Sequence, residues 1–330
     1  MPFRRAARAR ALACAALASA AVLAVAPGAG AQEPPPSGSD PFREIETENI
    51  FGFTTGTDIG AEGETEVTAQ TTGRFGKRGG LYRSFEHKLA VEHTPTQFMQ
   101  VEFGLLGASH AIRNVPDLPA RDRSAFAGVS GEVRYLLIGR GPGSPIGLAA
   151  SFEPTLAWID DTSGDRLRRV ETEFKLSADT ELVPNRLFLA LNAIYEPEWV
   201  HPRFERTERE ASAGLSTALA YRIAPEVTVG GEVRYLRKYE GIGLRHFEGD
   251  ALYLGPTLHL QLSKKVFLSF GWLTQVAGHE AVDRRERATA IASAIEAGED
   301  PFAAVPVRHG RLDLAHFDRH RARLKLGIEF

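Results

Sequence analysis

The sequence predicts an all-β fold: an antiparallel transmembrane β-barrel of about twelve strands with one short helix in its last long loop. Three observations carry this. Apolar and polar residues alternate with a period of two over most of the chain beyond residue 64, the signature of strands whose side chains point to opposite faces. Most alternating stretches are 10 to 14 residues long; soluble strands have a mode of about 5 to 6, whereas crossing a bilayer at a tilt takes about 9 to 11. Finally, the connections alternate between short and long along the chain.

The N-terminus is set apart by composition. Arg4, Arg5, Arg8 and Arg10 precede an uncharged apolar run from Ala11 to Ala26, and Ala29-Gly30-Ala31 supplies a small-x-small cleavage pattern. Residues 1–31 are therefore expected to be a cleaved export signal. Removing its four arginines from 39 basic residues leaves 35 against 42 acidic ones, a formal charge of −7 on 299 residues. The single cysteine, Cys14, lies in this segment, so neither a disulfide framework nor a thiolate metal site is expected. Residues 32–48 hold Pro34, Pro35, Pro36 and Pro41 among Ser and Gly and read as a flexible mature N-terminus. Residues 49–330 read as one barrel domain. No run of 18 apolar residues follows residue 31, which excludes a helical membrane protein.

The strands follow in order. Alternation is visible near 64–75, 82–93, 98–111, 126–138, 146–158, 170–179, 187–196, 211–223, 227–235, 250–262, 266–276 and 322–330. Val170, Thr172, Phe174, Leu176 and Ala178 share one face; Glu171, Glu173, Lys175 and Asp179 share the other. Short connections rich in Pro, Gly or Asn are expected at 93–97, 139–144, 183–186, 224–226 and 263–265. Longer ones are expected at 112–124, 159–166, 197–210, 240–249 and 277–314, with 76–80 a short exception. Short turns on one side and long loops on the other are the asymmetry of bacterial barrels. Trp158, Tyr195, Tyr235, Tyr239 and Trp272 fall toward the long-loop ends, and Tyr221 and Phe330 toward the short-turn ends, as two interfacial belts require. Pro154 and Pro256 fall inside strands of a sheet with no edge, so each is expected to mark a bulge or kink.

The same parity sends charge inward. Glu102, Glu132, Arg134, Glu153, Glu171, Glu173, Lys175, Glu232, Arg234, Lys238, Arg321, Arg323 and Lys325 are expected to line the lumen. Both signs are present, so a dedicated anion or cation channel is not indicated. Paired, these charges fill the lumen; wet, they make a narrow polar channel, and about twelve strands favours the filled or narrowly gated case over an open porin of about 16 to 18. In the last loop, Asp283 and Glu286 resemble a capping box, Ile291 and Ile295 share a helical face, and Gly298 is a stop signal. This helix is expected over or into the pore mouth, or on the loop's outer surface.

Enzyme signatures are weak. Ser109 and His110 are adjacent, so in a strand they face opposite ways, and no other Ser/His pair is evident. His316 and His320 lie about 13 to 14 Å apart if extended, too far to share one metal, and read with Asp318 as a solvated strand end. Gly139-x-Gly141-x-Gly143 reads as a turn. No catalytic, cofactor-binding or metal residue is expected, nor a nucleic-acid partner.

The final strand carries a family resemblance. Ala322, Leu324, Leu326, Ile328 and a terminal Phe330 alternate in a pattern similar to the C-terminal assembly signal of bacterial outer-membrane β-barrels. The resemblance covers about residues 64–330. It implies a Gram-negative outer-membrane location, lipid around the barrel, and recognition of these five residues by the barrel-assembly machinery. More narrowly, Ile50 to Gly60 with the strand after it resembles uncharacterised proteobacterial barrels near the transporter-like barrels of phenol-degradation (MetA) pathways. That likeness implies uptake of small, apolar or aromatic molecules. The function expected is a narrow passive pore or uptake channel for small-molecule solutes; the alternative is a non-transporting structural or surface-interaction barrel with a plugged lumen.

Overall fold

A computed structural model describes residues 45–141, 143–202, 207–280, 284–299 and 312–330. The expected export signal at 1–31, the stretch 32–44 and the capping residue Asp283 lie outside the described residues.

Twelve antiparallel strands close into a barrel: β1 (Thr65–Phe75), β2 (Leu81–Thr96), β3 (Met99–Arg113), β4 (Arg121–Ile138), β5 (Ile146–Ile159), β6 (Arg166–Val183), β7 (Leu187–Pro202), β8 (Glu208–Ala224), β9 (Val227–Glu240), β10 (His246–Ser263), β11 (Val266–Glu280) and β12 (His320–Glu329). Each strand pairs with its sequence neighbours, and β1 closes on β12 through pairs such as Val67 with Ile328 and Ala69 with Leu326. Closure leaves no unpaired edge, so every backbone polar group in the wall can be satisfied without water. One helix, α1 (Arg284–Ala297), stands between β11 and β12 in the chain. It ends where Gly298 takes a φ of 71° and Glu299 N donates to Ala294 O at 2.8 Å.

The wall sorts its side chains by parity. Outward stand Leu89, Val91, Phe103, Leu105, Phe152, Phe174, Leu191, Leu215 and Leu254, each more than two-fifths exposed. This apolar belt runs round the barrel and is far more than a water-facing surface carries; a bilayer is its solvent. Aromatic rings cluster toward the loop end: Phe75 stacks on Trp272 at 5.8 Å, and Phe126 on Trp158 at 5.7 Å. Tyr135, Tyr221 and Phe330 stand exposed toward the short-turn end.

Several strands reach further toward the loop end than the alternation did. β4 begins at Arg121, and β7 runs to Pro202. The reason is chemical: above the belt the outward positions are polar, as at Asp122 and Arg168, so the apolar period fades while the backbone ladder continues. The long loops are correspondingly shorter than expected. Pro154 and Pro256 do not produce the expected bulges. Pro154 pairs with Thr172 and Pro256 with Gly231 in register, and on their other sides the same register resumes, from Val133–Phe152 to Ser130–Thr155 and from Leu254–Thr274 to Thr257–Gly271. A proline removes one N–H, and an antiparallel residue uses that group toward only one neighbour, so one local gap in the ladder suffices.

Residues 45–64 belong to the inside of the barrel, not its wall. The expectation of a flexible segment reaching residue 48 and a barrel domain from 49 is corrected here: Thr47 is fully buried, Ile50 and Phe51 pack against Phe188, Ala190, Ala218 and Ala220, and the first strand starts at Thr65.

Candidate functional site

The lumen is occupied by that inserted segment, a strap that enters at the short-turn end, turns at Phe53 and returns. Both arms are held by polar wall residues. Thr47 N and Oγ1 donate to Asp58 Oδ2 at 2.8 and 3.0 Å, joining one arm to the other. Thr57 N donates to Asp179 Oδ2 at 2.8 Å, and Arg140, from the β4–β5 turn, joins Asp58, Asp179 and Glu181. Higher up, Thr55 N donates to Asn192 Oδ1 and Asn192 Nδ2 donates back to Thr55 O, both at 2.8 Å. At the tip Phe53 N donates to Glu232 Oε2 at 2.7 Å, and Thr54 Oγ1 donates to Glu232 Oε1 at 2.8 Å. On the far side Lys325 Nζ donates to Asn49 Oδ1 at 2.7 Å, and Arg134 Nη1 to Glu48 Oε1 at 2.8 Å.

Backbone shape makes room for the strap. A Cβ on Gly271 of β11 would stand 2.8 Å from Gly52 Cα, and one on Gly52 would stand 2.9 Å from Glu232 Oε2. Only glycine at both positions permits this approach. Above the tip, Phe53 joins Leu236, Ala251, Tyr253, Leu273 and Phe317 in one apolar cluster. Phe317 belongs to the turn 312–319 between α1 and β12, which is tied down by Tyr253 Oη donating to Asp318 O at 2.7 Å and by Lys77 Nζ donating to Ala315 O at 2.9 Å. Asp318 is buried against Arg321 at 3.0 Å, so His316, Asp318 and His320 do not form the solvated strand end expected: His316 sits in a turn and faces Asp313 at 3.0 Å. The β9–β12 side of the lumen is thus filled from below by the strap and from above by this turn.

What remains open is a cavity of about 260 Å³. All thirteen wall residues assigned to the lumen from parity stand inside. Glu102, Glu132, Arg134, Glu153, Glu171, Glu173, Lys175, Arg234, Arg321, Arg323 and Lys325 border this cavity, and Glu232 anchors the strap. Lys238 also points inward, 2.5 Å from Glu198 and 2.6 Å from Glu210. Two acids have a cation two residues along their own strand, Glu171 beside Arg169 at 3.1 Å and Glu173 beside Lys175 at 2.6 Å, and Arg169 is shared with Asp161. Lys88 bridges Glu102 and Glu153, 2.6 Å from each. Together with Glu132 these acids form a close trio, but the ammonium already stands among them. Sequence parity missed the strap, the anchoring role of Arg140 in the expected 139–144 turn, and uncharged anchors such as Asn192 and His259, because turn residues and hydrogen-bonding side chains carry no periodic signal. The one available sign was the Gly- and Thr-rich run from Phe51 to Gly60 placed directly before a strand.

On the lipid-facing side, register brings together a pair that the sequence did not show. Ser109 Oγ lies 3.4 Å from His87 Nε2, and Thr71 Oγ1 lies 3.0 Å from His87 Nδ1. Ser109 and His110 face opposite ways, as expected, and His110 points inward toward Asp161 O at 3.1 Å. Around the outer pair β2 and β3 are hydrogen-bonded residue by residue from Leu81 to His93.

A closed wall, an outward apolar belt, aromatic rings at both rims and a polar, strap-filled interior define a transmembrane β-barrel. The chain belongs to a family of unknown function, DUF6662, matched over residues 43–330. No curated protein matches it. Solved structures of similar shape include the COG4313 outer membrane channel from Pseudomonas putida F1, 10% identical, covering 83% of this chain and 98% of that one with a TM-score of 0.49. The NanC porin is 11% identical over 79% of this chain and 98% of its own, TM-score 0.43. The KdgM porin in complex with disordered oligogalacturonate is 10% identical over 81% and 99%, TM-score 0.42. These are likenesses of barrel shape. The family match does not extend to the phenol-pathway barrels that Ile50–Gly60 resembles.

Proposed function

We propose that this protein is a gated outer-membrane channel for small polar solutes, with the strap of residues 45–64 as its plug. The observation that carries the reading is how the strap is held: beside the apolar contacts of Ile50, Phe51 and Phe53, by separate side-chain hydrogen bonds and ion pairs to Glu232, Asn192, Asp179, Arg140 and Lys325 rather than by a continuous strand pairing. Such contacts exchange for water at small net cost when the segment withdraws. A purely structural filling of the lumen has no need of them, because apolar packing holds at least as well as buried ion pairs. The lining favours polar over aromatic or apolar solutes, since charged side chains border the remaining cavity on every side. The test is planar-bilayer conductance of the refolded protein beside an Asn192→Ala/Glu232→Ala variant. The channel reading expects rare discrete openings in the parent and frequent ones in the variant; a folded variant that remains silent refutes it.

A further inference from the structure

Among the described residues, two guanidinium groups at the cavity make no direct ion pair, although Glu232 and Glu173 act on both from a longer distance. Arg234 on β9 and Arg323 on β12 both reach inward to the strap tip and share one ring: their guanidinium carbons lie 5.9 and 4.5 Å from the centre of Phe53. Among the described residues neither makes an ion pair or a hydrogen bond, and the Nε of each is buried without an acceptor. Their inward neighbours differ. Arg321 has Asp318 at 3.0 Å, Lys325 has Asn49 at 2.7 Å, and Arg74 has Asp161. Glu232, the acid on the same wall, already accepts from Phe53 N and Thr54 Oγ1.

The facing wall has the opposite imbalance. Glu132, Glu153, Glu171, Glu173 and Glu196, on β4 to β7, border the same cavity with Lys88, Lys175 and Arg169 among them as cations, while Arg134 of β4 is already paired with Glu48 of the strap. The open space is thus polarised across its width, with two guanidiniums that make no direct ion pair on one side and an excess of carboxylates on the other. A guanidinium offers its donors as a planar fork that fits a carboxylate, and the contact gains strength away from bulk water. An anion alone would meet the acidic wall, and a cation alone the two arginines.

We propose that Arg234 and Arg323 form a carboxylate subsite for a small amphoteric solute of amino-acid size, whose ammonium end faces the Glu171–Glu173 wall. This names the solute class for the channel proposed above and rests on that reading for its physiological meaning, although binding itself can be measured without conduction. The experiment is saturation-transfer NMR on the refolded, detergent-solubilised barrel with β-alanine as probe, acetate and ethanolamine as single-charge comparisons, and heat-modifiable gel mobility as the folding control. The expected result is a β-alanine signal exceeding that of either comparison, reduced at least tenfold in Arg234→Gln and Arg323→Gln and unchanged in Arg83→Gln, an exposed arginine of β2. Glu171→Gln/Glu173→Gln should weaken β-alanine while sparing acetate. Equal signals in parent and arginine variants, no signal in any of them, or β-alanine no better than acetate would each overturn the subsite. Loss of conductance with β-alanine binding intact would count against the channel and leave the subsite standing.

Discussion

Phe53 N and Glu232 Oε2 are joined by a 2.7 Å hydrogen bond between a segment that precedes the barrel and a carboxylate of its wall. Glu232 is 1% exposed, and its second oxygen accepts from Thr54 Oγ1. One wall residue therefore fixes the tip of the strap. Replacing it with alanine strands the Phe53 N–H in a buried place, a loss of about 1–3 kcal/mol. Glu232→Ala should expose Glu48 to a glutamate-specific protease in the folded barrel, whereas Glu232→Gln, which keeps an acceptor, should protect it nearly as well as the parent.

Gly271 tests the same docking through shape alone. A Cβ there would lie 2.8 Å from Gly52 Cα, backbone against backbone, with no flexible side chain to yield. Gly271→Val should displace the strap and raise the frequency of channel opening severalfold, while the barrel keeps its heat-modifiable mobility. Unchanged gating in a folded Gly271→Val barrel would show that the strap does not control the path.

At the short-turn mouth the Glu46 carboxyl is pushed up to about 8 by burial and by Glu64, Glu48 and Glu329 nearby, although solvent reaches part of its side chain. A carboxyl whose pKa is higher docked than free binds its proton more tightly when docked. Its contribution to docking is therefore full below the free value near 4.5 and lost progressively as pH climbs to about 8. Open probability should rise between pH 5 and pH 8, and Glu46→Gln should flatten that rise.

The terminal strand pairs on both sides, Leu324 with Thr71 and with Phe270, and leaves Phe330 60% exposed toward the short-turn end. We propose that Ala322, Leu324, Leu326, Ile328 and Phe330 are what the barrel-assembly machinery reads. Deleting Phe330 should lower the folded barrel recovered from outer membranes severalfold while leaving refolding in detergent intact. Equal loss in both settings would make the residue's role structural.

The wall was legible in the sequence because a strand repeats every two residues and a bilayer demands long ones; Val170–Ala178 and Ala322–Phe330 show the period plainly. Parity also placed the lumen charges, since facing depends only on odd and even. Partners were not legible: Glu171 and Glu173, expected to pair with adjacent strands, meet Arg169 and Lys175 on their own strand. Contacts between strands, such as Ser109 with His87 or Lys88 with Glu153, depend on register, which is set by the turns. The strap escaped because it has no period: its residues fold against a surface that exists only once the barrel is closed.

Thr54 Oγ1 and Ser216 Oγ lie 2.9 Å apart across the strap and β8, and the only native cysteine is Cys14. A Thr54→Cys/Ser216→Cys barrel can therefore clamp the plug with a single disulfide. Single-channel recording of this variant, oxidised and then reduced in the same bilayer, is the most direct test of a gating strap. A gating strap gives a closed channel when oxidised and discrete openings after reduction. Openings of equal size and frequency in both states, with the disulfide verified, would contradict it.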